Sequence, residues 1–124
     1  MVVDDDSSVL QMLTRALTGY ELTLARDGSE ALMLSGRQGP LDLLITDYLM
    51  PEMTGEELIA RMRVERPRLK ALVITGHSDL LDRESPEWWK TEAHLAKPFR
   101  IQALRDKVES LLDSDQPPKA RMRP

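Results

Sequence analysis

An α/β fold built on a parallel sheet is what this sequence predicts, on three observations. Four apolar runs each stop at a polar residue: Val2-Val3 at Asp4-Asp5, Leu43-Leu44-Ile45-Thr46 at Asp47, Ala71-Leu72-Val73-Ile74 at Thr75, and His94-Leu95-Ala96 at Lys97. Between them lie segments with helical apolar spacing, and alternating strand and helix signals mark βαβ units with right-handed crossovers. Glycine and proline punctuate the joins.

The elements follow in order. Ser7 or Ser8 is expected to cap a first helix whose Val9, Leu10, Leu13, Ala16 and Leu17 share one face, ending at Gly19. Residues 20–25 alternate and suit an edge strand. Asp27-Gly28-Ser29-Glu30 has capping-box spacing for a second helix, which Gly36, Gly39 and Pro40 close before the third strand. Thr54-Gly55-Glu56-Glu57 repeats the box for a third helix carrying Leu58, Ile59 and Met62 inward and stopping near Pro67. Residues 78–91 are the least regular, because Pro86 lacks an amide donor, so the fourth helix is expected to be short or split. Ile101, Leu104, Val108, Leu111 and Leu112 form an apolar stripe on the last helix.

Composition narrows the function classes. With 124 residues and 14.1 kDa the chain suits one domain, and its net charge of -4 and pI near 5.2 argue against direct nucleic-acid binding. The absence of cysteine suits a reducing compartment, so a cytoplasmic location is expected. No run approaches the ~20 apolar residues needed to span a bilayer, and no basic segment precedes an apolar one at the start. The last twelve residues, 113–124, hold Pro117-Pro118 and three basic residues with few apolar groups, so a flexible Pro-rich tail is expected there. Met1 to Val3 is short for a central strand, given a usual length of about five to six residues.

Parallel strands bring their carboxyl ends to one edge, where open α/β sheets hold ligands. Three carboxylates, a hydroxyl and an ammonium then share one crevice. Crowded carboxylates repel unless a cation joins them, and hard oxygen ligands suit Mg²⁺. The crevice therefore reads as a divalent-metal site beside a phosphate-handling group. A carboxylate attacking phosphorus needs anion repulsion cancelled, so Asp47 is the candidate nucleophile, Asp4 and Asp5 the candidate ligands and Lys97 a partner for a phosphoryl oxygen. Thr75 is placed to donate a hydrogen bond to another oxygen, with Gly76 keeping the entrance open. His77 is assigned to no metal.

The segments Val2-Val3-Asp4-Asp5, Ile45-Thr46-Asp47-Tyr48-Leu49-Met50-Pro51-Glu52-Met53-Thr54-Gly55, Val73-Ile74-Thr75-Gly76 and Lys97-Pro98-Phe99 together resemble the receiver domain of two-component response regulators, over residues 1–112. The resemblance implies a flavodoxin-like sheet of five strands ordered 2-1-3-4-5, doubly wound with five helices. It implies that Asp47 accepts a phosphoryl group from a histidine kinase or phosphotransfer protein. Asp4, Asp5, Asp47 and the main-chain carbonyl of Leu49 would hold Mg²⁺ or Mn²⁺, and the Lys97-Pro98 bond would be cis. Leu49 and His77 flank the site at positions that tune hydrolysis in similar domains. His94 occupies the place of an aromatic residue that turns inward when the threonine moves, so Thr75 and His94 are the expected switch pair. The fourth helix, fifth strand and last helix form the face where similar receivers meet a downstream partner or dimerise. Trp88 and Trp89 fall on that face, either as a surface anchor or with one ring in the core and the other flat over a neighbour.

Two other functions compete. A haloacid-dehalogenase-type phosphatase is suggested by Asp4-x-Asp6 with Thr75 and Lys97 downstream, but Ser8 fits that pattern poorly and there is no room for a cap. A pseudo-receiver that binds a partner without phosphorylation is disfavoured by the complete set of Asp4, Asp5, Asp47, Thr75 and Lys97. With no output domain following the last helix, the chain reads as a stand-alone receiver or one cut from a larger protein such as a hybrid kinase.

Overall fold

A computed structural model describes residues 1–113. The expected tail from residue 114 onward lies outside the described residues. Five strands, β1 (Val2–Val3), β2 (Leu24–Ala25), β3 (Leu43–Asp47), β4 (Lys70–Thr75) and β5 (Ala93–Ala96), form one parallel sheet in the order β2-β1-β3-β4-β5. The helices are α1 (Ser7–Ala16), α2 (Gly28–Ser35), α3 (Gly55–Glu65), α4 (Ser78–Glu84), α5 (Glu87–Thr91) and α6 (Ile101–Asp113). None of them is long and apolar enough to cross a membrane.

The period-2 alternation of the strands divides the core. Val2, Leu43, Ile45, Leu72 and Ile74 face Leu10 and Leu13 of α1 and Leu104 and Val108 of α6. Val3, Leu44, Ala71 and Val73 face Ala31 of α2 and Leu58, Ile59 and Met62 of α3. Both faces being covered explains why the strands read as continuous apolar runs.

Helix starts follow short polar signals. Thr54 and Glu57 form the complete capping box of α3. At α2 the Asp27 side chain accepts from the Glu30 amide, while Glu30 accepts from the amide of Arg26, one residue before the cap. The first helix differs from expectation: its cap is Asp6, whose carboxylate accepts from the Ser8 amide at 2.8 Å, with Ser7 already helical. A carboxylate is at least as good a cap as a hydroxyl, and its charge suits the positive end of the helix dipole.

Three expectations are corrected in extent. The edge strand covers only Leu24–Ala25, not residues 20–25, because β1 offers only Val2 and Val3 as pairing partners. Ile101 opens α6 with 46% exposure instead of sitting in its apolar stripe. The fourth helix is split, as expected, into α4 and α5, which makes six helices among the described residues where five were expected. The break lies at Ser85, in left-handed backbone at φ 47°, followed by Pro86.

Gly55 fixes how close α3 comes to β3. A Cβ there would collide with the main-chain carbonyl of Asp47, and the Gly55 amide donates to the carbonyl of Tyr48 at 2.7 Å. Gly76 is the contrasting case, with no atom near enough to meet a Cβ. Gly55→Ala is expected to destabilise the protein by more than about 1 kcal/mol, as overpacking against fixed backbone does, whereas Gly76→Ala leaves the urea midpoint nearly unchanged. Equal midpoints for the two variants would refute the close approach.

Candidate functional site

The sheet register brings the expected residues to one edge. Asp47 ends β3, Thr75 ends β4, Asp4 and Asp5 follow β1, and Lys97 follows β5. The Lys97 amide donates to the carbonyl of Thr75 at 2.8 Å, carrying the β4–β5 pairing one residue past the strand. The peptide bond from Lys97 to Pro98 is cis. The Lys97 ammonium lies 3.5 Å from Asp4 Oδ2 and 3.6 Å from Asp47 Oδ1, so it spans two strand ends.

The carboxylates are held differently. Asp4 is buried, and its Oδ1 accepts from the Asp6 amide at 2.9 Å. Asp47 is half-buried, and its Oδ1 accepts from the Tyr48 amide at 2.8 Å. Its Oδ2 has no hydrogen bond among the described residues. Asp5 is exposed at the mouth. One ligand oxygen from each of Asp4, Asp5 and Asp47 lies within 4.8 Å of the others, a donor set of hard, charged oxygens that fits a divalent cation such as Mg²⁺. Asp6 stands outside this group, its carboxylate accepting from the Ser8 amide at the start of α1.

Burial pushes the Asp4 carboxyl above its ordinary range, against the pull of the Asp6 amide and the Lys97 ammonium. Burial also raises Asp47, and the neighbouring Asp4 charge adds to the effect. One ammonium therefore does not neutralise the crevice.

Thr75 is fully buried, and its Oγ1 accepts from the His77 amide at 2.8 Å. Its hydroxyl proton remains to be donated. Leu49 is 47% exposed beside the crevice, on the turn that connects β3 to α3. His94 lies half-buried on β5 with its ring stacked on Trp89, centroids 3.4 Å apart. Burial lowers its pKa, with the Lys107 charge adding to the effect.

The tryptophans take the second of the two expected arrangements, one ring in the core and the other flat over a neighbour. Trp89 is buried, its indole N–H donating to Asp82 at 2.8 Å. Trp88 is half-buried and stacks on Tyr48 with centroids 5.1 Å apart. Tyr48 is an addition to the residues expected from sequence. An aromatic residue directly after the strand-ending Asp47, with a Trp-Trp pair downstream, was the available signal.

A parallel sheet whose carboxyl edge gathers three acidic groups, a threonine and a lysine defines a receiver-type signalling module. Residues 1–109 match the model of the response regulator receiver domain, and the chain belongs to that family, a module of two-component signalling. It is 34% identical over 119 residues to the response regulator MprA of Mycobacterium leprae, covering 94% of this chain and 52% of that protein. It is 32% identical to the probable transcriptional regulatory protein TcrX of Mycobacterium tuberculosis, covering 90% of this chain and 48% of that one. The chain thus spans about half the length of these curated relatives. Among solved structures, the response regulator TrrA of Thermotoga maritima, in complex with Mg²⁺-BeF, superposes with a TM-score of 0.77 at 31% identity, covering 89% of this chain and 95% of that one. A response regulator receiver domain from Clostridium thermocellum gives 0.79 at 27% identity, covering 90% and 91%.

Carboxyl groups whose folded pKa is raised favour the folded state when protonated. That contribution is full below their ordinary value of 3.8 and is lost as pH rises through the raised values. Asp47→Asn keeps the amide contact and removes one of the crowded charges. In chelator, its melting temperature is expected to match the parent protein's at the acid end and to exceed it by a few degrees at neutrality. A variant that melts lower at neutral pH would show that Lys97 outweighs the repulsion.

Proposed function

We propose that the chain is a phosphorylation-activated switch in a phosphorelay, taking a phosphoryl group on Asp47 from a sensor histidine kinase or a phosphotransfer protein. The convergence of Lys97 on both Asp4 and Asp47 carries this reading. Asp47 Oδ2 attacks the phosphorus of a phosphohistidine protonated on its other ring nitrogen, the P–N bond breaks with its electron pair left on nitrogen, and a neutral imidazole leaves. Lys97 pairs with one phosphoryl oxygen and Thr75 donates its hydroxyl proton to another, so that positioned donors meet charge as it develops. Asp4, Asp5, Asp47 and the Leu49 main-chain carbonyl are the groups that would hold Mg²⁺ or Mn²⁺. When bound, the cation offsets the repulsion between the carboxylate and the incoming phosphoryl group.

Hydrolysis returns Asp47 to a carboxylate and releases inorganic phosphate, so no diffusible substrate is turned over beyond the phosphodonor. The added charge draws Thr75 inward, and the face made by α4, α5, β5 and α6 presents the result to a downstream partner or a second copy. We place the module in the cytoplasm, where its phosphodonor acts.

Incubation with acetyl phosphate and Mg²⁺ is expected to label Asp47 and nothing else. Lys97→Met slows labelling about 10²–10³-fold, the loss typical of one preorganised donor. Asp5→Asn weakens Mg²⁺ binding about tenfold or more, at least what loss of an outer partner brings. Release of phosphate from unrelated esters would instead favour a phosphatase, and no reaction a phosphorylation-independent module. Leu49 presents a bulky apolar side chain where water must approach, so Leu49→Asn is expected to hasten loss of the label; an unchanged decay rate would refute that role.

A further inference from the structure

Resting on the reading of Asp47 as the phosphoacceptor, we propose that a continuous stack of four rings, Tyr48, Trp88, Trp89 and His94, carries the state of Asp47 to the edge strand β5. The stack begins at the site itself. Asp47 Oδ1 accepts from the Tyr48 amide, so a group added to that carboxylate alters the anchor of the first ring's own backbone. The Tyr48 ring stacks on Trp88 at 5.1 Å and 29°, Trp88 meets Trp89 edge to face at 5.7 Å and 83°, and Trp89 stacks on His94 at 3.4 Å and 14°.

The two tryptophans are held on their other sides. Trp88 packs against the core on the α2 and α3 face, and the Trp89 indole is held by Asp82 of α4. The short α5 is tied to α3 by a two-pronged ion pair between Arg63 and Glu92, the residue just after the helix. Close-packed rings between such supports move together or not at all, which is the condition for transmitting a displacement. Thr75 is less directly connected to His94. Its Oγ1 accepts from the His77 amide, and in the sheet it pairs with Ala96, while His94 pairs with Val73. Any swing of His94 must also shift the Trp89 ring stacked on it. The stack therefore makes Trp88 a positioning residue through which β5 responds to chemistry at Asp47.

Nuclear magnetic resonance of isotope-labelled tryptophan side chains reads this directly, with Trp89 assigned by comparison with Trp89→Phe. Acetyl phosphate and Mg²⁺ are added, and the phosphoryl occupancy of Asp47 is measured in parallel by mass spectrometry. The Trp89 indole N–H signal is expected to shift in proportion to occupancy. Trp88→Leu should become phosphorylated to the same extent yet lose most of that shift, and Trp88→Phe, which keeps a stacking ring, should restore it. A full Trp89 shift in Trp88→Leu overturns the relay, as does an occupied Asp47 with no Trp89 shift in the parent protein. Absence of label on Asp47 overturns the phosphoacceptor reading itself, a separate result. Should Trp88→Leu fail to fold, Tyr48→Leu makes the same cut at the first ring, with the same two outcomes.

Discussion

The crevice depends on a mismatch of charge that the fold holds in place. Lys97 reaches Asp4 and Asp47 at 3.5 and 3.6 Å, close enough for a strong attraction in a partly desolvated setting. Both carboxyls are nevertheless raised, so desolvation, with repulsion from neighbouring carboxylates, outweighs the ammonium. A site that were merely structural would relieve that strain by pairing the charges or dropping one. Instead β1 and β3 hold Asp4 and Asp47 at adjacent strand ends, and the core on both sides of the sheet supplies the stability that the crowding removes. The excess negative charge is what makes the three carboxylates a fitting donor set for a divalent cation.

Backbone contacts keep the geometry narrow. The Gly55 amide closes the turn after β3 onto the Tyr48 carbonyl, and the Tyr48 amide is bound to Asp47 on one strand end. The Thr54–Glu57 box starts α3 immediately afterwards. Asp47 is thus caught between a strand and a helix start, with little freedom for its backbone. Lys97 approaches from the opposite side, its amide bound to Thr75. Support of this kind holds the carboxylate and the ammonium in one geometry.

Much of this was legible in the sequence because it is local or periodic. Apolar runs ending at Asp4, Asp47, Thr75 and Lys97 mark strand ends, and parallel topology alone then gathers them. The boxes at Asp27 and Thr54 are four-residue signals. What escaped was set by partners far along the chain. The length of β2 depends on how many residues β1 offers it, the choice of Asp6 over Ser7 on where the acidic run turns away from the crevice, and the exposure of Ile101 on how α6 meets the sheet. The Trp88-Trp89 pair has no periodic reading at all, since its partners Tyr48 and Asp82 lie on other elements.

The split between α4 and α5 explains how adjacent tryptophans serve two different neighbours. Successive residues on a helix diverge by about 100° around its axis, so two neighbouring side chains cannot pack against the same surface. The left-handed turn at Ser85 and the start at Pro86 set α5 at an angle independent of α4. In that orientation Trp88 reaches across to Tyr48 beside the crevice while Trp89 covers His94 on β5, and the interplanar angle of 83° between them reflects the divergence. A continuation of the α4 axis would aim the same diverging pair in other directions. The irregularity is therefore what makes a contact path from β3 to β5 that bypasses β4, and it places an imidazole, whose charged form burial disfavours, at the far end.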